Sequence, residues 1–161
     1  MGLGRVGSEV AKIGKAFGMQ VIAWSENLNL DKCKELDVLP CSKEDVLKTS
    51  DFLSIHVQGG ERYKELIKLK ELDMMKKTAF LINISGNDVW DFEYLSQKTK
   101  DKSIAGIALD DDRRGMEDSD ANILITPHMA WYTKEAFAED FRIWTECILS
   151  ITNDDPINVV N

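Results

Sequence analysis

The sequence predicts an α/β fold built on a doubly wound, all-parallel sheet. Three observations predict it. Short apolar runs with β-branched residues recur at Val21-Ile22-Ala23-Trp24, at Phe52-Leu53-Ser54-Ile55-His56-Val57 and at Ala79-Phe80-Leu81-Ile82-Asn83-Ile84. Helical patterns separate these runs, and strands buried on both faces that alternate with helices describe a parallel sheet covered on two sides. A glycine-rich turn, Gly2-Leu3-Gly4-Arg5-Val6-Gly7, opens the first of those helices.

The elements follow in order. Val6, Val10, Ile13 and Phe17 recur at helical spacing and form one apolar face, with Gly18 as the stop. Residues 21–24 read as a buried strand, 27–29 as a loop, 31–35 as a short helix and Val38-Leu39 as a short strand. Ser42 with Asp45 starts a helix over Val46 and Leu47. Residues 51–57 form the next strand, 65–75 carry helical turns, 79–84 form a strand and 91–100 a helix opening on acids. Two more strands fall at 104–109 and 122–126. The longest helix, 133–151, sets Phe137, Phe141, Trp144, Ile148 and Ile151 on one stripe, and 156–160 is an extended tail. Between them, residues 110–120 hold six acids and two arginines and read as a solvated loop.

A length of 161 residues is one domain's worth, and 43% hydrophobic with 30% charged residues describes a globular chain able to bury its own core. The net charge of -8 argues against nucleic acid as a partner, because phosphate binding needs a cationic excess. Cys33, Cys41 and Cys147 show neither CxxC nor metal-ligand spacing, which fits a reducing cytoplasm. No run of about 18 apolar residues is present to span a membrane. The first residues carry no basic-then-apolar targeting pattern.

Gly2, Gly4 and Gly7 form G-x-G-x-x-G, the fingerprint of a Rossmann-type dinucleotide site. The first glycine permits the tight turn, the second lets backbone approach a pyrophosphate, and the third lets helix and strand pack closely. The helix N-terminus then offers free N–H groups and a positive dipole end to the phosphates. An acid is expected at the end of the next strand to bind the adenosine ribose. Ser25 stands there, 23 residues after Gly2, with Glu26 beside it. A serine can bond the ribose but lacks the charge that repels a 2′-phosphate. The nearby Glu26 and the lack of a following arginine favour NAD and leave NADP open.

Three further segments end predicted strands: Ile82-Asn83-Ile84-Ser85, Ala105-Gly106-Ile107-Ala108-Leu109-Asp110 and Thr126-Pro127-His128-Met129-Ala130. Together with the glycine loop, in this order, they resemble the D-isomer-specific 2-hydroxyacid dehydrogenases, a family that includes phosphoglycerate dehydrogenases. The resemblance covers essentially the whole chain and extends to the terminal Pro156-Ile157-Asn158-Val159-Val160-Asn161. It implies hydride exchange between NAD and the hydroxyl-bearing carbon of a small 2-hydroxy or 2-keto acid, in a homodimer. By resemblance Gly2, Gly4, Arg5, Val6 and Gly7 cradle the pyrophosphate and Ser25 faces the adenosine ribose. Gln58 touches the cofactor, Ile84 and Ser85 line the nicotinamide ribose, and Asp110 holds the carboxamide. His128 is the acid/base, a role suited to a side chain that titrates near neutral pH. His56, the other histidine, reads as a strand-end residue. Trp131 follows the histidine motif and is the one tryptophan expected near the site; the other three read as core or interface.

The sequence departs from the family pattern in three ways. Gly86-Asn87 stand where the family has Arg-Gly. That arginine would clamp the substrate carboxylate through paired, charge-assisted bonds. Such bonds contribute about 1.5–3 kcal/mol each, so its loss costs orders of magnitude in rate. The glutamate that pairs with the histidine should lie five residues after Asp110, where Gly115 stands; Glu117 would serve only with a rearranged loop. Asp111 and Asp112 replace an apolar pair. Finally, the expected fold lacks its first strand and the substrate domain. These departures set an NAD-linked 2-hydroxyacid oxidoreductase, inactive as an isolated chain, against a non-catalytic dinucleotide-binding module and an assembly piece. The third reading draws on the Trp90, Phe92 and Tyr94 cluster, which plain packing also explains.

Overall fold

A computed structural model of the protein describes residues 1–58, 63–64, 66–86, 89–111 and 121–159. Among these are six helices and six strands, alternating up to β5, after which β6 is the next described element: α1 (Arg5–Ala16), β1 (Ile22–Ala23), α2 (Leu30–Glu35), β2 (Leu39–Pro40), α3 (Lys43–Thr49), β3 (Phe52–Ile55), α4 (Leu69–Leu72), β4 (Phe80–Asn83), α5 (Phe92–Lys100), β5 (Gly106–Asp110), β6 (Ile123–Thr126) and α6 (Lys134–Thr152). Every strand pairing is parallel, as the alternation requires. The chain divides into two compact units, Met1–His128 and Met129–Asn161.

The first unit holds two sheets, one of order β1-β2 and one of order β3-β4-β5-β6. Phe52 pairs with Phe80, and Phe80 with Gly106, so three strands start level. The Phe52 and Phe80 rings stack at 5.5 Å on one face. The main core lies on these strands, with Leu47, Ile55, Leu72, Leu81 and Leu95 fully buried. Side chains start the helices: Asn29, Ser42 and Asp91 accept from the backbone N–H of Lys32, Asp45 and Tyr94.

Several elements differ from the sequence expectation, each for a physical reason. Helical turns were expected over 65–75, yet α4 spans only Leu69–Leu72. Leu66 and Ile67 are buried, and the Ile67 N–H donates to the Val89 carbonyl instead of to a helix. The strand expected at 104–109 is Gly106–Asp110, and the loop expected from 110 is not solvated at its start. Asp110 and Asp111 are buried, with the Asp110 carboxylate accepting from Thr126 Oγ1 at 2.6 Å. The rest of that acidic stretch, 112–120, lies outside the described residues. The strand expected at 21–24 is two residues long. The apolar face of α1 is in place, but Val6, Ile13 and Phe17 are 55%, 57% and 78% exposed.

The second unit consists of the segment from Met129 onward, dominated by α6. Thr133 caps it by accepting from Ala136 N–H at 3.1 Å. The stripe of Phe137, Phe141, Trp144, Ile148 and Ile151 forms as expected and is exposed.

Candidate functional site

Within each sheet the strands run parallel, so their carboxyl ends share an edge. Such an edge binds ligands at the point where strand order reverses. Here that point is the glycine turn, because β1-β2 runs to one side of it and β3 to β6 to the other. The turn is bonded to both sides. Met1 donates its amine to the Ser54 carbonyl at 2.6 Å, and His56 N–H donates to the Met1 carbonyl at 2.8 Å. Gly2 N–H donates to the Trp24 carbonyl at 2.9 Å.

The three glycines are held for different reasons. Gly2 has φ +84°, and a β-carbon there would lie 2.5 Å from the His56 carbonyl oxygen. A β-carbon on Gly7 would collide with the Gly2 carbonyl, so α1 rests directly on the turn. Gly4 is the N-cap of α1, and nothing lies within 4 Å of a β-carbon built on it. No side chain caps α1, and its first turn carries no acid. An uncapped helix N-terminus with open space before it fits a phosphate, since its free N–H groups lack an internal acceptor. A Cβ at position 4 would fill that space.

The other sequence-predicted residues line the same edge. Arg5 and Val6 are exposed in the first turn of α1, and Ser25 is half-buried just past β1. Gln58 is exposed three residues past β3. Ile84 and Ser85 follow β4; Ser85 Oγ donates to the Ile55 carbonyl at 3.3 Å, tying the ends of β3 and β4 together. Buried Asn83 organises this corner, accepting from Ser85 N–H at 2.9 Å and donating to the Gly86 carbonyl at 3.3 Å. Asp110 ends β5. His128 follows β6 with φ +49°, a sparsely populated conformation for a side chain with a β-carbon. Its N–H donates to the Thr126 carbonyl at 2.9 Å. Gly86 is exposed at the place where the family arginine was expected. Asn87, Gly115 and Glu117 lie outside the described residues, as does Asp112.

Two site features escaped the sequence reading. Lys32 on α2 reaches Gly4 and donates to its carbonyl at 3.4 Å, setting an ammonium beside the loop. Only the helical register of α2 could have signalled it. His56 was read as a strand-end residue, which it is, but it also forms the wall under Gly2 and bonds Ser54 Oγ through Nε2 at 2.8 Å. Burial, reinforced by the neighbouring Met1 amine, lowers its pKa to about 4.

The fold and the loop together define a dinucleotide-binding α/β domain. Residues 1–130 match the family described as D-isomer specific 2-hydroxyacid dehydrogenase, NAD binding domain. The chain belongs to that family and corresponds to its NAD-binding domain. It is 34% identical over its whole length to glyoxylate reductase of Aeropyrum pernix, covering 50% of that protein. It is also similar to the NAD-complexed D-isomer specific 2-hydroxyacid dehydrogenase of Lactobacillus delbrueckii ssp. bulgaricus, at 30% identity and a TM-score of 0.82, over 99% of this chain and 54% of that one. D-lactate dehydrogenase of Aquifex aeolicus, complexed with NAD and lactic acid, matches at 26% identity and a TM-score of 0.84, over 96% of this chain and 52% of that one. The chain thus spans about half the length of the curated relatives it matches.

Proposed function

We propose that this chain binds NAD at the glycine turn and serves as the cofactor half of an oxidoreductase acting on a small 2-hydroxy or 2-keto acid. The observation that carries the reading is the bare, uncapped N-terminus of α1 at Gly4. In it the N–H groups after Gly4 receive the diphosphate, with Arg5 and Val6 nearest. Ser25 bonds the adenosine ribose, and Lys32 adds a positive charge beside the Gly4 loop. Gln58, Ile84 and Ser85 line the nicotinamide side, Asp110 meets the carboxamide, and His128 holds or releases the hydroxyl proton. The dinucleotide supplies the hydride. A reducing cytoplasm and a homodimer belong to the same reading, supported by the free thiols of Cys33, Cys41 and Cys147 and by the exposed apolar faces of α1 and α6.

Calorimetric titration with NADH and NADPH tests it. Saturable binding of NADH, weaker for NADPH, is expected; a flat titration with both overturns the reading. Gly86 favours a second reading, a dinucleotide-binding module that does no chemistry. Glycine offers no guanidinium to clamp a carboxylate. The expected outcome is therefore binding without turnover, and steady-state reduction of any 2-keto acid by the isolated chain would remove that second reading.

A further inference from the structure

Thr126, the last residue of β6, stands opposite Asp110, the last residue of β5. Its hydroxyl donates to Asp110 Oδ1 at 2.6 Å, against 3.3 Å to the Leu109 carbonyl, so the carboxylate is its main acceptor. A hydroxyl-to-carboxylate bond of that length is charge-assisted and stronger than a neutral one. Thr126 is β-branched and therefore stiff at χ1, so its hydroxyl is a fixed point to which the buried carboxylate turns. The Thr126 main chain does separate work. Its carbonyl accepts from two N–H groups at once, that of Asp111 at 2.8 Å and that of His128 at 2.9 Å. The second bond closes the turn in which His128 takes φ +49°. One residue thus touches both sides of the chemistry, the carboxylate through its hydroxyl and the acid/base histidine through its carbonyl.

We propose that Thr126 is a positioning residue, which aims the Asp110 carboxylate at the nicotinamide carboxamide and so fixes that ring relative to His128. This rests on the NAD site proposed above, with Asp110 at the carboxamide. An aspartate free to swing about its χ angles meets the carboxamide N–H only part of the time. A bond at Oδ1 removes that freedom before the cofactor arrives. Any residue at position 126 supplies the carbonyl, whereas the bond to Asp110 needs a short hydroxyl side chain.

The test compares NADH with ADP-ribose, which carries the same adenosine and diphosphate without the nicotinamide, by calorimetry on the whole chain. Thr126→Val keeps the branched shape and the carbonyl and removes the hydroxyl. It is expected to weaken NADH about tenfold, the effect of losing one bond to a charged group, and to leave ADP-ribose binding unchanged. Thr126→Ala, which sets no methyl against the carboxylate, is expected to do the same and replaces the valine variant if that does not fold. Thr126→Ser is expected to restore NADH binding. In an Asp110→Asn background, Thr126→Val is expected to leave the ratio of the two affinities unmoved, because the charged acceptor is gone. A structural role alone would weaken both ligands together, and that outcome overturns the proposal. So does a parent-like ratio in Thr126→Val, a serine variant that behaves like valine, or a shift that persists with Asp110→Asn; each of these leaves the NAD site standing. A parent chain that binds neither ligand overturns the NAD site and the role of Thr126 with it.

Discussion

At Gly4, φ is -76° and ψ -157°, a backbone open to any residue, and nothing lies within 4 Å of a β-carbon placed there. An aspartate would fit without strain, accept from the first-turn N–H groups as an N-cap and put its charge where the diphosphate belongs. Gly4→Asp is therefore expected to keep or slightly raise Tm while abolishing NADH binding, a divergence that thermal melts and calorimetry read separately. Gly2 behaves in the opposite way. Its positive φ and the His56 carbonyl at 2.5 Å predict that Gly2→Ala destabilises the fold by about 1–3 kcal/mol, measured by urea unfolding. His56 makes stability depend on pH. Its folded pKa of about 4 lies below the ordinary histidine value of 6.5, so the unfolded chain binds more protons between those values. Its contribution is complete above pH 6.5 and is lost as pH falls toward 4. The Met1 amine, lowered by burial from 8.0 to about 5, acts with the same sign over its own window. Melts between pH 4 and 7 are expected to show a shallower acid-side slope for His56→Gln than for the parent.

Helices and strands show which sequence signals survive folding. Caps are local: the sequence starts helices at Ser42, Asp91 and Thr133, and in the structure each of these three side chains caps the helix it opens. Asp91→Ala is expected to cost about 1 kcal/mol, seen as a lower denaturation midpoint with unchanged slope. Leu47→Ala, at a fully buried position on α3, is expected to cost about 2–5 kcal/mol. Periodicity also located α1 correctly, but it could not tell whether a partner covers the apolar face. Val6, Val10, Ile13 and Phe17 were legible as a stripe and not as an exposed one. The length of β1 was illegible for the same reason: Val21 to Trp24 read as four strand residues, while a ladder on one side only supports Ile22–Ala23. The burial of Asp110 and Asp111 depends on β6 arriving alongside, a contact between segments far apart in sequence.

Across the whole molecule, the places of the proposed site residues were legible: Ser25, Gln58, Ile84, Ser85, Asp110 and His128 lie at or just past strand ends, and the glycine turn opens α1. Within a sheet, parallel strands bring such ends to one edge whatever the details of packing. Lys32 was not legible, since its reach to Gly4 depends on how α2 lies over the loop. The roles of Asn83 and His56 were missed because both act by holding backbone in place and carry no motif of their own. The joint between the two sheets has a consequence of its own. The Met1–Gly2 segment that leads into the proposed diphosphate site at Gly4 also rivets one half-sheet to the other through Trp24, Ser54 and His56. Occupancy and cohesion are therefore coupled. A nucleotide seated beside that rivet stiffens the whole domain, and any wobble of one half-sheet against the other is paid back as weaker grip on the nucleotide.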